Sequence, residues 1–265
     1  MGAEHLRPHF STFTSWGENM DRFMAWFADF KADFILNFVE KQRWTFITSG
    51  LKNTLIITFF SLILGLFLGA VVAIVRSSYD KTYSEMNKGI KKILFSILNG
   101  ICKIYLTVIR GTPVVVQLMI MYYIIFASSR NSLLVAIIAF GINSGAYVAE
   151  IVRSGIMSID LGQFEAGRSL GFNYRSTMIY IIIPQAFKSI LPPLGNEFIV
   201  LIKETSIVGY VGMSDLTRVA NQMTSKLFDV FTPLLGIAFI YFVLTKVLSI
   251  LLAKLERRLR KSDNR

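Results

Sequence analysis

The chain has 265 residues, 53% of them hydrophobic, with a mean hydropathy of +0.53 and a net charge of +11. Soluble globular proteins sit near about 45–50% apolar, and here the apolar residues are clumped, which argues against a soluble nucleic-acid-binding protein despite the basic balance. The lone Cys102 excludes an internal disulfide, and His5 and His9 alone do not make a metal site, so none is expected.

Residues 1–50 read as an amphipathic extension. Trp16, Met20, Phe23, Phe27, Phe30, Phe34 and Phe38 recur at three- and four-residue spacing, while Asp21, Arg22, Asp29, Lys31 and Asp33 fall off that stripe. This predicts a helix in the membrane interface or packed along a bundle, and a cover over the transmembrane core is preferred to any recognition role. The first long apolar run starts near residue 50, beyond the roughly 15–30 residues of a secretory signal, so no such signal is expected.

Five apolar segments follow. Asn53 to Val75 carries no charge and exceeds the roughly 20 residues that cross about 30 Å of hydrocarbon. Gly111 to Ser129 and Asn131 to Ala149 are also uncharged. Ser176 to Ile202 is apolar but interrupted by Lys188, Pro192, Pro193 and Glu197, and Val230 to Ala253 holds only Lys246. These predict an all-α integral membrane protein with a five-span core over residues 51–260 and a short tail over 261–265. Residues 80–109 are ambiguous. They read as an interfacial helix, or as the cytosolic half of a long second span interrupted at Gly111-Thr112-Pro113. Proline removes a backbone donor, and such breaks survive in a membrane only when buried in protein or facing water, so this one belongs at a helix–helix junction.

Charge sets the orientation. Arg76, Lys81, Lys88, Lys91 and Lys92 follow the first span, and Lys254, Arg257, Arg258, Arg260, Lys261 and Arg265 follow the last. The positive-inside rule places both clusters in the cytosol, and an odd number of spans puts the N-terminus outside. No internal repeat is visible, which weakens an inverted-repeat secondary carrier.

The loop over about residues 155–175 is unusual because it is polar and bracketed by glycines. Ser158 and Asp160 can cap a helix from about Leu161 to Leu170, which Gly171 can end in the left-handed conformation. Phe164 and Leu170 are apolar, Gln163, Glu165 and Arg168 are polar, and Ala166-Gly167 makes a small waist. Residue chemistry alone supports equally a helix that docks into a groove on another protein and an ordinary capped loop.

Several stretches resemble the inner-membrane permease subunits of ATP-binding-cassette (ABC) importers of polar amino acids. In the loop, Glu165, Ala166, Gly171 and Pro184 match that family's pattern, with Gly167 in place of an alanine and Ile183 in place of a leucine. RGTPVVVQ from Arg110, the run from Ala146 to Phe172, and the run from Pro184 to Gly209 are also similar. The resemblance covers roughly Asn37 to Arg260. It implies a coupling helix carried by Gly162, Glu165, Ala166, Gly167, Leu170 and Gly171, slightly loosened by Gly167, since glycine costs up to ~1 kcal/mol of helix propensity against alanine. It also implies a second permease subunit, identical or homologous, a cytosolic ATPase dimer, an extracytoplasmic amino-acid-binding protein, and residence among the lipids of the bacterial inner membrane. The chain has no Gly-x-x-x-x-Gly-Lys-Ser/Thr phosphate loop. It is therefore expected to be no enzyme and to hold no cofactor, with ATP and magnesium in the partner.

Polar residues within spans are the candidates for a substrate pathway, because ionisable groups are costly there. Gln117, Asn143, Ser144, Tyr147, Glu150, Lys203 and Glu204 offer donors and acceptors suited to an amino acid. Glu150 is also three residues from Arg153 on one helical face, so a purely structural pair is the competing reading. Asn196, Lys203 and Glu204 flank the Pro192-Pro193-Gly195 interruption and could instead join two permease subunits. A channel or secondary carrier, and a non-transporting scaffold, are the alternatives to an importer subunit.

Overall fold

The computed structural model describes residues 10–83, 86 and 89–261. His5, His9, Lys88 and tail residues 262–265 lie outside the described residues. Within them the chain is helical, without a strand. The helices are α1 (Phe10–Phe34), α2 (Trp44–Thr82), α3 (Ile90–Gly111), α4 (Val114–Ile120), α5 (Ser132–Met157), α6 (Leu161–Ser169), α7 (Tyr174–Thr177), α8 (Ile183–Glu204), α9 (Leu216–Leu227) and α10 (Phe231–Lys261). Five stretches are long and apolar enough to cross a membrane: Trp44–Lys81, Ile90–Gly111, Ser132–Met157, Tyr174–Val211 and Phe231–Leu259.

The number of crossings agrees with the sequence, but the second is placed differently. Gly111 to Ser129 is not a span. Val114–Ile125 is a short apolar helix, about 18 Å long at 1.5 Å per residue. The crossing begins instead at Ile90, runs through α3 to Gly111, and continues through α4 after the interruption at Thr112-Pro113. Of the two readings left open for residues 80–109, the interrupted span is the one found. Conversely, Pro192 and Pro193 do not break α8, which is continuous from Ile183 to Glu204.

The centre of the bundle is the α2–α5 pair. Ser61 bonds the Ile137 carbonyl at 3.1 Å, Gly65 meets Ser144 and Gly69 meets Val148, so the two helices run parallel. A Cβ on Gly65 would lie 2.9 Å from Ser144 Oγ. Small residues are needed for backbones to approach this closely, as is usual between membrane helices. Ile57, Leu118, Ala136, Phe140, Leu201 and Val208 form the core beside this seam. α8 runs antiparallel to α5, with Ile190 against Gly155 and Glu197 against Ser144.

At one end of the bundle α9 closes over the start of α2. Asp215 caps α9 through the Thr217 and Arg218 N–H groups at 2.9 and 3.0 Å. Burial pushes its carboxyl above the usual range, partly offset by these backbone bonds. α6 lies at the opposite end.

Among the described residues, the apolar face of α1 is not laid over the core of this chain. Met20, Phe23, Met24, Trp26 and Phe27 of α1 are each more than half exposed. The turn after α1 is anchored, where Phe38 is buried with Ile47, Leu216, Val219 and Ile237.

Candidate translocation and coupling sites

The interruption after α3 builds the first site. The three residues Gly111-Thr112-Pro113 leave carbonyls without helical partners, and Gln117 meets them. Its Nε2 donates to the Ile109 carbonyl at 2.7 Å, the Thr112 carbonyl at 3.1 Å and Thr112 Oγ1 at 2.8 Å. Its Oε1 accepts from Asn143 Nδ2 at 2.9 Å. Asn143 lies about 16 Å along α5 from its first residue, so the interruption sits deep within the bundle. Asn143 is 2% exposed, and its Oδ1 has no hydrogen-bond partner among the described residues. A buried acceptor left open in this way is uncommon and calls for an explanation.

Beside this pair lies an open polar face. Arg110, on the last turn of α3, stands 3.7 Å from Glu150, with its guanidinium 5.8 Å from the Tyr147 ring centre. The Arg110 and Glu150 side chains are 45% and 35% exposed. Glu150 therefore pairs with Arg110, and the local pair with Arg153 suggested by their spacing is not formed. Arg153 instead bonds Asp80 of α2 at 2.9 Å. Gln117, Asn143, Tyr147 and Glu150 are thus gathered along one side of α5, and Arg110 joins them. The sequence reading treated Arg110 only as part of a motif. Its position on the last turn before Pro113 was the available signal, since a cation inside a span demands a partner.

Ser144 points the other way. It is fully buried and donates to Glu197 Oε1 at 2.8 Å. Glu197 was read as an interruption of an apolar run, yet it is 7% exposed and belongs to this buried polar contact between α5 and α8. Glu204 lies two turns further along α8, half-buried and within electrostatic reach of Glu197. Lys203 is exposed and lines a separate cleft with Ser206, Thr217 and Tyr241. These last two residues are not brought to the Arg110 face.

The second site is α6. Asp160 caps it, accepting from Gly162 N at 2.6 Å. Ser158 belongs to the end of α5, where it donates to the Gly155 carbonyl. At the other end Gly171 has φ +82°, and Gly171 N and Phe172 N bond back to the Arg168 and Gly167 carbonyls at 2.9 and 3.0 Å. That pair of bonds around a left-handed glycine is a tight helix stop. Glu165, Ala166, Arg168 and Leu170 are exposed, and Leu170 is 73% exposed. Gly167 is the buried side of the helix. A Cβ there would come within 2.8 Å of Thr177, so its absence is what seats α6 against α7, whatever it costs in propensity. The outcome is a short, rigidly ended helix with an exposed polar face and a leucine projecting from it.

Residues 89–261 match the family described as binding-protein-dependent transport system inner membrane component. The chain belongs to that family. This permease is 37% identical over 221 residues to the arginine transport system permease protein ArtQ of Bacillus subtilis, covering 82% of this chain and 94% of the relative. It is 34% identical over 224 residues to the L-cystine transport system permease protein TcyB of the same organism, covering 83% and 89%. It is 36% identical over 215 residues to the glutamine transport system permease protein GlnP of Escherichia coli, covering 80% and 91%. A solved amino acid ABC transporter chain superposes with a TM-score of 0.71 at 42% identity, over 81% of this chain and 94% of that one. An inward-facing methionine ABC transporter chain superposes with a TM-score of 0.70 at 18% identity, over 83% and 99%, and shows the shared fold. The permease is a non-catalytic membrane component of an ABC importer, working with a separate ATPase and paired with a second permease.

Proposed function

We propose that this permease forms the membrane pathway of an ATP-driven amino acid importer. The observation that carries the reading is α6, a capped helix whose outward face is exposed while its glycine face is locked to the bundle. Such a helix suits insertion into a groove of a cytosolic ATPase dimer, where ATP and magnesium are held. The Lys and Arg residues near the ends of α2 and α10 place this end of the bundle in the cytosol. An extracytoplasmic binding protein delivers the amino acid at the α9 end, and membrane lipid surrounds the apolar flanks.

The pathway runs along the Arg110 face of α5, beside the second permease subunit. An amino acid carries one carboxylate and one ammonium. Arg110 offers a planar cation to the first, and Glu150 accepts from the second. The two already stand near each other, so substrate replaces a loose, half-exposed ion pair. Asn143 Oδ1 is a further acceptor at this depth, supplied by α5 and braced by Gln117. A channel or secondary carrier would conduct or exchange without an ATPase, and a scaffold would show no substrate-dependent hydrolysis in its complex.

The test is substitution of Glu165 by Lys in the complex with the cognate ATPase. The reading expects loss of co-purification or of hydrolysis coupled to uptake. Undiminished coupling in the Glu165→Lys complex would refute it.

A further inference from the structure

We infer that the cytosolic end of α2 is a strut that holds the coupling helix, with Lys81 on Phe164 and Asp80 on Arg153 as positioning contacts, so that α2 and α6 move as one body. The inference rests on the importer reading above. α2 has 39 residues, about 58 Å of helix at 1.5 Å per residue, far more than about 30 Å of hydrocarbon requires. The surplus at its C-terminal end is not idle. Ser78, Asp80 and Lys81 reach three different parts of the coupling loop.

Lys81 Nζ lies 4.0 Å above the centre of the Phe164 ring, on α6 itself. Asp80 bonds Arg153 at 2.9 Å, on the last turns of α5 before α6. Ser78 shares a side-chain hydrogen bond with Tyr174, on the first turn after α6. The loop is therefore gripped before, on and after its helix by the last turns of one neighbour. The contacts close around a cleft of about 90 Å³ lined by Ser77, Ile156, Leu161 and Phe164 among others. From there α2 continues along α5 through the Gly69–Val148 and Gly65–Ser144 contacts to the level of Asn143. A displacement of α6 thus meets a single rigid helix packed along α5, the helix that carries Asn143 and Glu150, which is the kind of contiguous packed route that coupling requires. Each contact is modest alone, because a half-exposed cation–π or ion pair contributes little to folding. Their role is the angle at which α6 is presented.

The experiment uses the whole complex of permease, cognate ATPase and binding protein in liposomes, with labelled arginine, glutamine and cystine tested singly. In the wild-type complex, absence of both ATPase co-purification and uptake would defeat the importer reading itself. With that reading intact, Lys81→Met keeps the apolar stem and removes the cation. The expected result is unchanged co-purification, basal hydrolysis within about twofold of wild type, and at least a threefold fall in substrate moved per ATP hydrolysed. Phe164→Leu should lower the same ratio, and the double variant should fall no further than the worse single. Normal transport per ATP in Lys81→Met would overturn the inference, and so would loss of the complex, which would make Lys81 a residue of assembly. A second variant bears on rigidity. With Cys102 replaced by serine, Lys81→Cys/Phe164→Cys should lose coupling and regain it when a short bis-maleimide joins the two positions. Inhibition on joining them would contradict movement as one body.

Discussion

Arg110 and Glu150 face each other at 3.7 Å beside the interruption that ends α3, with the Tyr147 ring beneath the guanidinium. Neither side chain is buried in this chain, so the pair is open to an incoming ligand. An open ion pair at such depth is better placed to receive substrate than to hold helices together. Glu150→Gln should therefore leave assembly and basal ATP hydrolysis intact and weaken uptake, most of all for cationic amino acids, which lose an additional charge contact. Uptake and assembly measured on one preparation decide it. Normal uptake in a well-assembled Glu150→Gln complex would remove Glu150 from the pathway.

Asn143 behaves differently because it is buried. Replacing it with leucine breaks the 2.9 Å bond to Gln117 and leaves that amide to satisfy the Ile109 and Thr112 carbonyls alone. Loss of one partner of a buried hydrogen bond costs about 1–3 kcal/mol. The Asn143→Leu permease should melt several degrees lower in detergent, and Asn143→Asp at least as much, because a carboxylate cannot donate to Gln117 Oε1 and would be a buried charge. An unchanged melting temperature for Asn143→Leu would show that the α3–α4 interruption does not depend on this bond.

Gly167 offers a test in which propensity and packing oppose each other. Alanine gains up to about 1 kcal/mol of helix propensity, yet its Cβ would meet Thr177 at 2.8 Å. The packing argument expects Gly167→Ala to reduce coupling of hydrolysis to uptake, and Thr177→Ala added to it to restore at least half of the loss. Improved coupling in the single variant would mean that α6 has room to shift and that propensity dominates.

Helix type and the number of crossings were legible in the sequence, because uncharged runs such as Asn53 to Val75 are long and their flanks are basic. The cap at Asp160 and the stop at Gly171 were legible for the same local reason. The second crossing was misplaced because Lys88, Lys91 and Lys92 ahead of the apolar run made the stretch look interfacial, whereas Lys92 is held at the start of α3 by the Met86 carbonyl at 3.1 Å and by the Tyr83 ring. Contacts between distant residues were not legible at all. Glu150 and Arg153 are one turn apart, which suggested a local pair, but their partners Arg110 and Asp80 lie 40 and 73 positions away. Ser144 and Glu197, 53 positions apart, were hidden for the same reason.

The corrected second crossing makes its own topological prediction. Reporters active on one side of the membrane, fused after Lys92, Arg130 and Arg265, should read cytosolic, extracytoplasmic and cytosolic. A fusion within α4 should not produce a separate crossing. An extracytoplasmic signal at Arg265 would reverse the assignment of α6 to the ATPase side.

This chain couples hydrolysis by a partner to movement of an amino acid. The most direct measurement is ATP hydrolysis by the liposome-reconstituted complex, with binding protein added with and without arginine, glutamine or cystine. Hydrolysis should rise several-fold only when binding protein and one of these amino acids are both present, with uptake rising in step and neither occurring for the permease alone. Uptake by the permease alone, or hydrolysis indifferent to substrate while the amino acid still moves, would contradict it.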